Sequence, residues 1–196
     1  MADWERDEGG YVRLARLLYE AGALKRVPRA GWGAAGVDNP ESVAEHSFRT
    51  AVIAFFLARM EGADPFRAAV LALFHDLPEA RTLDLHKVAQ RYFDTKAAEQ
   101  KAGADQAESL PPELARLLSG VFEEAFAEKS PEARVAKDAD HLECLLSAAE
   151  YRQTGHPVSD WISNNENGLS TESARKTAAA ALSQEPFSWW KGLKKE

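Results

Sequence analysis

The chain has 196 residues, with 24 Lys plus Arg against 31 Asp plus Glu, so its formal net charge is -7 and a broad nucleic-acid-binding surface is excluded, although a small basic pocket is not. Hydrophobic residues are 45% and charged residues 28%, the composition of a globular chain able to bury one core. Cys144 is the single cysteine, so no disulfide can close within the chain and a reducing cytoplasm fits. No apolar run approaches the roughly 18 residues of a membrane span, and the acidic N-terminus does not resemble a signal peptide. The expectation is one cytoplasmic domain over 1–196, with a core at about 10–155 and a C-terminal helical extension at 156–196.

Residues 1–9 are polar and read as frayed. From about Tyr11 to Leu24, Leu14, Leu17, Leu18, Ala21 and Leu24 recur at helical spacing. Pro28 disfavours helix for the residue before it, and a Gly-rich loop runs on to Asn39-Pro40. A second helix spans about Ser42 to Glu61, with His46 in its second turn and an apolar second half that marks it as central. Asp64-Pro65 reads as an N-cap with proline at the first helical position, opening a third helix to about Pro78. Residues 84–103 read as an exposed helix. Further helices start at Pro111-Pro112 and at Ser130-Pro131, the latter stopping near Gly155, and a last one runs from about Thr171 to Ser183. The Trp189-Trp190 pair is expected to pack the tail on the domain. With no alternating strand, repeat or low-complexity linker, the fold class is all-α.

Chemistry concentrates in Leu71-Ala-Leu-Phe-His75-Asp76-Leu-Pro-Glu79, where an apolar run ends in an adjacent His-Asp pair. An ionisable pair at the end of a buried helix is costly unless something stabilises it, and a divalent cation would. His46 stands on another core helix, and Lys137-Asp138-Ala139-Asp140 supplies a carboxylate on a third. Asp140 lies about 100° from Ala139, at the border of the apolar face, whereas Asp138 is expected to point outward. Two histidines and two aspartates without a thiolate suit a divalent ion that keeps open positions for water and substrate.

The ordered pattern His46 … His75-Asp76 … Asp140 resembles the HD-domain metal-dependent phosphohydrolase superfamily. The words Leu24-Lys-Arg26-Val-Pro-Arg-Ala-Gly-Trp32, Pro40-Glu-Ser-Val-Ala-Glu-His46, His75-Asp76-Leu-Pro-Glu79 and Leu83-Asp84-Leu are similar to the 5'-deoxynucleotidases of that superfamily, both the bacterial YfbR-type enzymes and eukaryotic HD-domain proteins. The resemblance covers roughly residues 10–155. It implies a compact multi-helix HD bundle and one divalent metal ion (Co, Mn, Fe, Zn, Ni or Mg) on His46, His75, Asp76 and Asp140. It also implies Arg26 at the substrate phosphate, and Glu79 and Asp84 in proton handling, with roles that are interchangeable on spacing alone. Two departures stand out: Leu83 replaces the glycine often found before the acid, and Val27 replaces an aromatic.

The implied reaction is hydrolysis of a (deoxy)nucleoside 5'-monophosphate to nucleoside and phosphate. A dianionic phosphoryl group needs cationic stabilisation and an activated in-line water, which a metal and a forked guanidinium supply. Lys25, Arg29 and Lys137 are further sources of positive potential, and Glu45 is a possible partner for a ligand imidazole. His86, His141 and His156 read as surface residues. Partners are the small nucleotide and a second copy of the chain in a homodimer. Two other readings remain open: a different small phosphoester or nucleotide substrate, or a non-catalytic helical module that keeps metal for stability.

Overall fold

Five helices start at a side-chain cap that the sequence supplies. Ser42 forms a capping box with Glu45, Asp64 accepts from the amides of Phe66 and Arg67, and Asp94, Ser130 and Thr171 each accept from the amide three residues on. The computed structural model describes residues 8–193. Among them the α-helices are α1 (Glu8–Ala21), α2 (Val43–Glu61), α3 (Pro65–Phe74), α4 (Glu79–Thr82), α5 (Thr95–Glu108), α6 (Pro112–Ala127), α7 (Pro131–Gln153), α8 (Ser159–Gly168) and α9 (Glu172–Leu182). Short 3-10 turns occupy Gly22–Arg26, Ala30–Ala35, Ala89–Arg91 and Pro186–Ser188. The described residues contain no strand, only an isolated bridge between Pro28 and Ser42, so the all-α expectation holds.

Three helices make the centre. Ala54, Leu57 and Ala58 of α2, Ala68, Leu71 and Ala72 of α3, and Leu142, Leu145 and Ala148 of α7 are all buried in one cluster. Alanines at the crossings let the backbones approach closely, and each fully buried leucine contributes about 1.5–3 kcal/mol. A second cluster lies on the other side, where Leu17, Leu24, Val43, Leu77, Leu110, Leu118 and Phe122 join α1, α5 and α6 to the start of α2. The three central helices therefore position the site.

Several expectations need correcting. Of residues 1–9, 1–7 lie outside the described residues, while Glu8 and Gly9 already belong to α1. Leu18 is 64% exposed rather than part of the α1 core face. α3 stops at Phe74, a turn carries 75–78, and Pro78 is the N-cap of α4, so the proline starts a helical turn instead of ending one. Residues 84–94 are mostly irregular. The helix expected at 84–103 begins only at its Asp94 cap and runs on to Glu108, because the chain first passes through Leu83 in a left-handed conformation. α8 was not expected; its polar sequence, with Ile162 as the buried residue, hides the period. Trp189 is 75% exposed and Trp190 41%, and the turn at Pro186–Ser188 brings the tail back to α7. No helix is long and apolar enough to cross a membrane.

Candidate functional site

The two histidines are aimed by their second nitrogens. His46, fully buried in α2, has Nδ1 2.5 Å from Glu143 Oε2. Glu143 is itself fully buried, accepts from Arg49 and Ser147, and is held ionised: burial opposes this, but the hydrogen bond with His46 and the Arg49 charge outweigh it. A carboxylate can only accept, so Nδ1 carries the hydrogen and Nε2 faces inward. His75, at the C-cap of α3, has Nδ1 2.7 Å from the Ala72 carbonyl oxygen, which likewise turns its Nε2 inward. The rings stand 5.7 Å apart between centroids.

Two carboxylates meet these nitrogens. Asp76 Oδ2 is 3.5 Å from His46 Nε2 and Asp76 Oδ1 is 3.1 Å from His75 Nε2. Asp140 Oδ1, reaching in from α7, is 3.2 Å from His46 Nε2 and 3.9 Å from His75 Nε2. The other Asp140 oxygen accepts from Lys137 Nζ at 2.9 Å. Burial resists ionisation of Asp140, but Lys137 and the histidines outweigh it and hold its carboxyl well below the usual range. His46, His75, Asp76 and Asp140 are thus brought together. Asp138 is only 1% exposed, contrary to the outward direction expected for it, and serves elsewhere: it accepts from the amides and hydroxyls of Ser170 and Thr171, at the start of α9.

The residues around this cluster differ in part from those expected. Glu79 is buried, with Oε2 lacking a hydrogen-bond partner. Burial first, then the charges of Asp76 and Asp84, push its carboxyl up to about 10, so it holds a proton at neutral pH. Asp84 Oδ2 accepts from the Ala30 amide at 2.8 Å and lies 3.8 Å from Arg29 Nη1. Arg26 is exposed at the end of its 3-10 turn, whereas Arg29 reaches the cluster, with Nη1 3.8 Å from Asp76 Oδ2. Glu45 is spent on the capping box, and the imidazole partner is Glu143. The sequence carries no distinct signal for it, because an acid on a mixed-charge helix reads as solvated until the partner helix is placed. His86 is exposed as expected. His141 and His156 are partly buried, bonded to Asn165 Oδ1 and to the Ala35 carbonyl oxygen.

These donors suit a divalent cation. His75 Nε2 and Asp76 Oδ2 are buried without hydrogen-bond partners, and ligand atoms of His46, His75 and Asp76 lie within 4.8 Å of one another. Burial and Arg29 oppose a charge on His46, yet Asp140 and Glu143 hold its imidazole well above the usual pKa, so the pocket favours a positive charge at Nε2. Glu143 and Cys144 also gather round His46, but that grouping is a weaker ligand set. Burial pushes the Cys144 thiol up to about 11, which keeps it protonated.

Mixed nitrogen and oxygen ligands beside buried acids, with no thiolate, mark a metal-dependent hydrolase rather than a structural zinc site. The chain belongs to the HD domain family, whose model matches residues 21–181. It is 35% identical over 144 residues to the 5'-deoxynucleotidase HDDC2 of Mus musculus, covering 73% of this chain and 72% of that one. It is 31% identical over 193 residues to the 5'-deoxynucleotidase HDDC2 of Homo sapiens, covering 91% and 94%. Among solved structures, a metal-dependent phosphohydrolase (so predicted) from Magnetospirillum magnetotacticum MS-1 superposes with a TM-score of 0.69 at 25% identity, over 90% of this chain and 95% of that one.

Proposed function

We propose that this protein is a metal-dependent phosphomonoesterase that hydrolyses deoxynucleoside 5'-monophosphates to nucleoside and phosphate. The observation that carries the reading is the convergence of His46 from α2, His75 and Asp76 from the end of α3 and the turn after it, and Asp140 from α7, beside buried Glu79. The HD relatives named as 5'-deoxynucleotidases give the substrate class. A divalent ion on those four residues supplies charge for the phosphoryl oxygens and acidifies water. Glu143 keeps Nε2 of His46 turned to the ligand position, and Lys137 fixes one oxygen of Asp140 so that the other faces inward. Glu79, whose carboxyl is pushed up by burial and by Asp76 and Asp84, is the residue we assign to give a proton to the leaving sugar oxygen. Asp84, tied by Oδ2 to the Ala30 amide, is placed to orient water or the sugar hydroxyl.

The test is phosphate release from the four deoxynucleoside and four ribonucleoside 5'-monophosphates with Mn, Co and Mg. Deoxynucleotides should be cleaved by the metal-loaded protein, and Glu79→Gln should lower kcat by about 100-fold or more while metal stays bound. Verified metal content with no phosphate from any nucleotide would overturn the reading. Pyrophosphate or triphosphate release from nucleoside triphosphates would move it to another nucleotide substrate. The cytoplasm, where nucleoside monophosphates and a free thiol both belong, is the implied compartment. The assembly proposed is a homodimer. Phe48, Val52, Phe56 and Met60 recur every four residues on the exposed side of α2, beside Phe66, Val70 and Leu73 of α3, an apolar surface that water alone covers poorly.

A further inference from the structure

Leu83 carries an apolar side chain in a conformation that suits glycine. Its φ of 64° and ψ of 161° lie where a Cβ is disfavoured, yet the residue is 56% exposed and neither core cluster includes it. Strain at an exposed apolar residue points to a contact that the folded chain alone does not make. The neighbours of Asp84 show where that contact lies. Asp84 turns its carboxylate to the Ala30 amide, while Leu83 and Leu85 line a cavity of about 260 Å³ between the end of α4 and the start of α5.

Phe93, 63% exposed, and Ala98 of α5 complete the apolar lining of this cavity. Of its two acids, Asp94 is committed to capping α5 through the Ala97 amide. Glu99 forms no hydrogen bond or ion pair with the described residues. Burial first, then the charge of Asp76, pushes the Glu99 carboxyl up, and Asp84 adds to this, so that rim of the cavity faces the acids of the site. An apolar slot with one free carboxylate at its rim suits a planar ring, with its faces on hydrocarbon and an N–H edge on the acceptor. The volume is below the roughly 300–1,000 Å³ of sites that enclose a whole drug-sized ligand, and it suits a single ring system.

Resting on the phosphohydrolase reading, in which the sugar lies at Asp84, we infer that Leu83 and Phe93 hold the substrate's base and that Glu99 selects guanine. Among the four bases only guanine offers a carboxylate two parallel donors, N1–H and the N2 amine. Thymine presents a single N–H flanked by two carbonyl oxygens, which a carboxylate repels. The strained turn then serves both neighbours, sending Asp84 to Ala30 and Leu83 to the base.

Steady-state kinetics of the metal-loaded protein on dGMP, dTMP and the base-free ester 2-deoxyribose 5-phosphate test this. The wild type should favour dGMP over dTMP by about tenfold or more in kcat/KM, and should show its highest KM on the base-free ester. Phe93→Ala should raise KM for dGMP about tenfold and Leu83→Ala several-fold, each leaving the base-free ester within about twofold. Glu99→Gln should bring dGMP to within about twofold of dTMP, again without effect on the base-free ester. Both apolar side chains are more than half exposed, so their truncation keeps the fold, and an unchanged melting temperature checks that. Equal turnover of all three substrates by the wild type would overturn the slot, as would variants that slow dGMP and the base-free ester alike. A preference for dTMP would overturn the role of Glu99. If the wild type releases phosphate from none of them, calorimetry with deoxyguanosine decides. Binding that Phe93→Ala abolishes would keep the slot while the phosphatase reading fails, and no binding would end both.

Discussion

Leu83 sits at φ 64° and ψ 161°, a region that side chains other than hydrogen avoid. It is 56% exposed, so packing does not demand leucine there, and the conformation serves to swing Asp84 back to the Ala30 amide. This is also where the resembling enzymes often carry glycine. Leu83→Gly should therefore stabilise the fold by about 1 kcal/mol despite the freer unfolded chain, raising the thermal midpoint by about 2–4 °C. A lower midpoint in a melting curve would show that the loop is unstrained. Glu143→Gln should weaken metal binding by about 10–100-fold, because the imidazole of His46 loses the carboxylate that orients it. Competition with a chelator measures that, and undiminished affinity would remove Glu143 from this role. The ligands were legible in sequence because few residue types bind metal, and His46 and Asp140 lie on core helices while His75 and Asp76 directly follow a third. Glu143 was not, since an acid in a mixed-charge helix looks like a solvated one until its partner helix is placed. Arg26 and Arg29 were indistinguishable for a similar reason: only the Pro28–Ser42 pairing decides which one turns inward.

At the scale of elements, periodicity placed α2, α3, α6 and α7, because each buries a continuous apolar stripe. It failed at residues 84–94 and at α8, where caps and tertiary contacts rather than apolar spacing set the structure. The short α4 shows how such segments are held. Arg81 donates from Nε to Glu20 Oε1 at 2.6 Å and from Nη2 to Oε2 at 2.9 Å, and Gln106 of α5 donates to the same Oε1 at 2.7 Å. One carboxylate therefore ties α1, α4 and α5 together. The hydrogen bond from Arg81 is the main reason that the Glu20 carboxyl lies below its ordinary value of 4.5. A depressed carboxylate contributes stability above the unfolded pKa and loses it as pH falls through the folded one. Glu20→Gln should thus be less stable than wild type by about 1 kcal/mol at pH 7, allowing for partial solvent screening, and indistinguishable from it below the folded pKa. Urea unfolding at the two pH values checks this, and a penalty that persists in acid would mean that packing, not charge, holds the joint.

For the whole molecule, the stripe on α2 and α3 is the feature that a lone copy does not explain. Phe56 is 61% exposed and Phe66 74%, and both rings pack on Phe55, forming a preformed aromatic ridge. Phe56→Glu should convert a dimer to a monomer at micromolar concentration in sedimentation velocity, with helix content and melting temperature of the subunit unchanged. A wild-type chain that sediments as a monomer would refute the homodimer outright. A shared surface is hard to read from sequence, since a helix apolar nearly all round reads equally as buried or as shared.

Asp138 has a consequence beyond its own hydrogen bonds. Its carboxylate draws its four donors from Ser170 and Thr171, and it stands two residues before Asp140 on the same helix. A chain ended before Ser170 would keep every proposed metal ligand and still strand a buried charge beside one of them. The C-terminal helices, which carry none of the proposed ligands, therefore help to hold the stretch of α7 that presents Asp140.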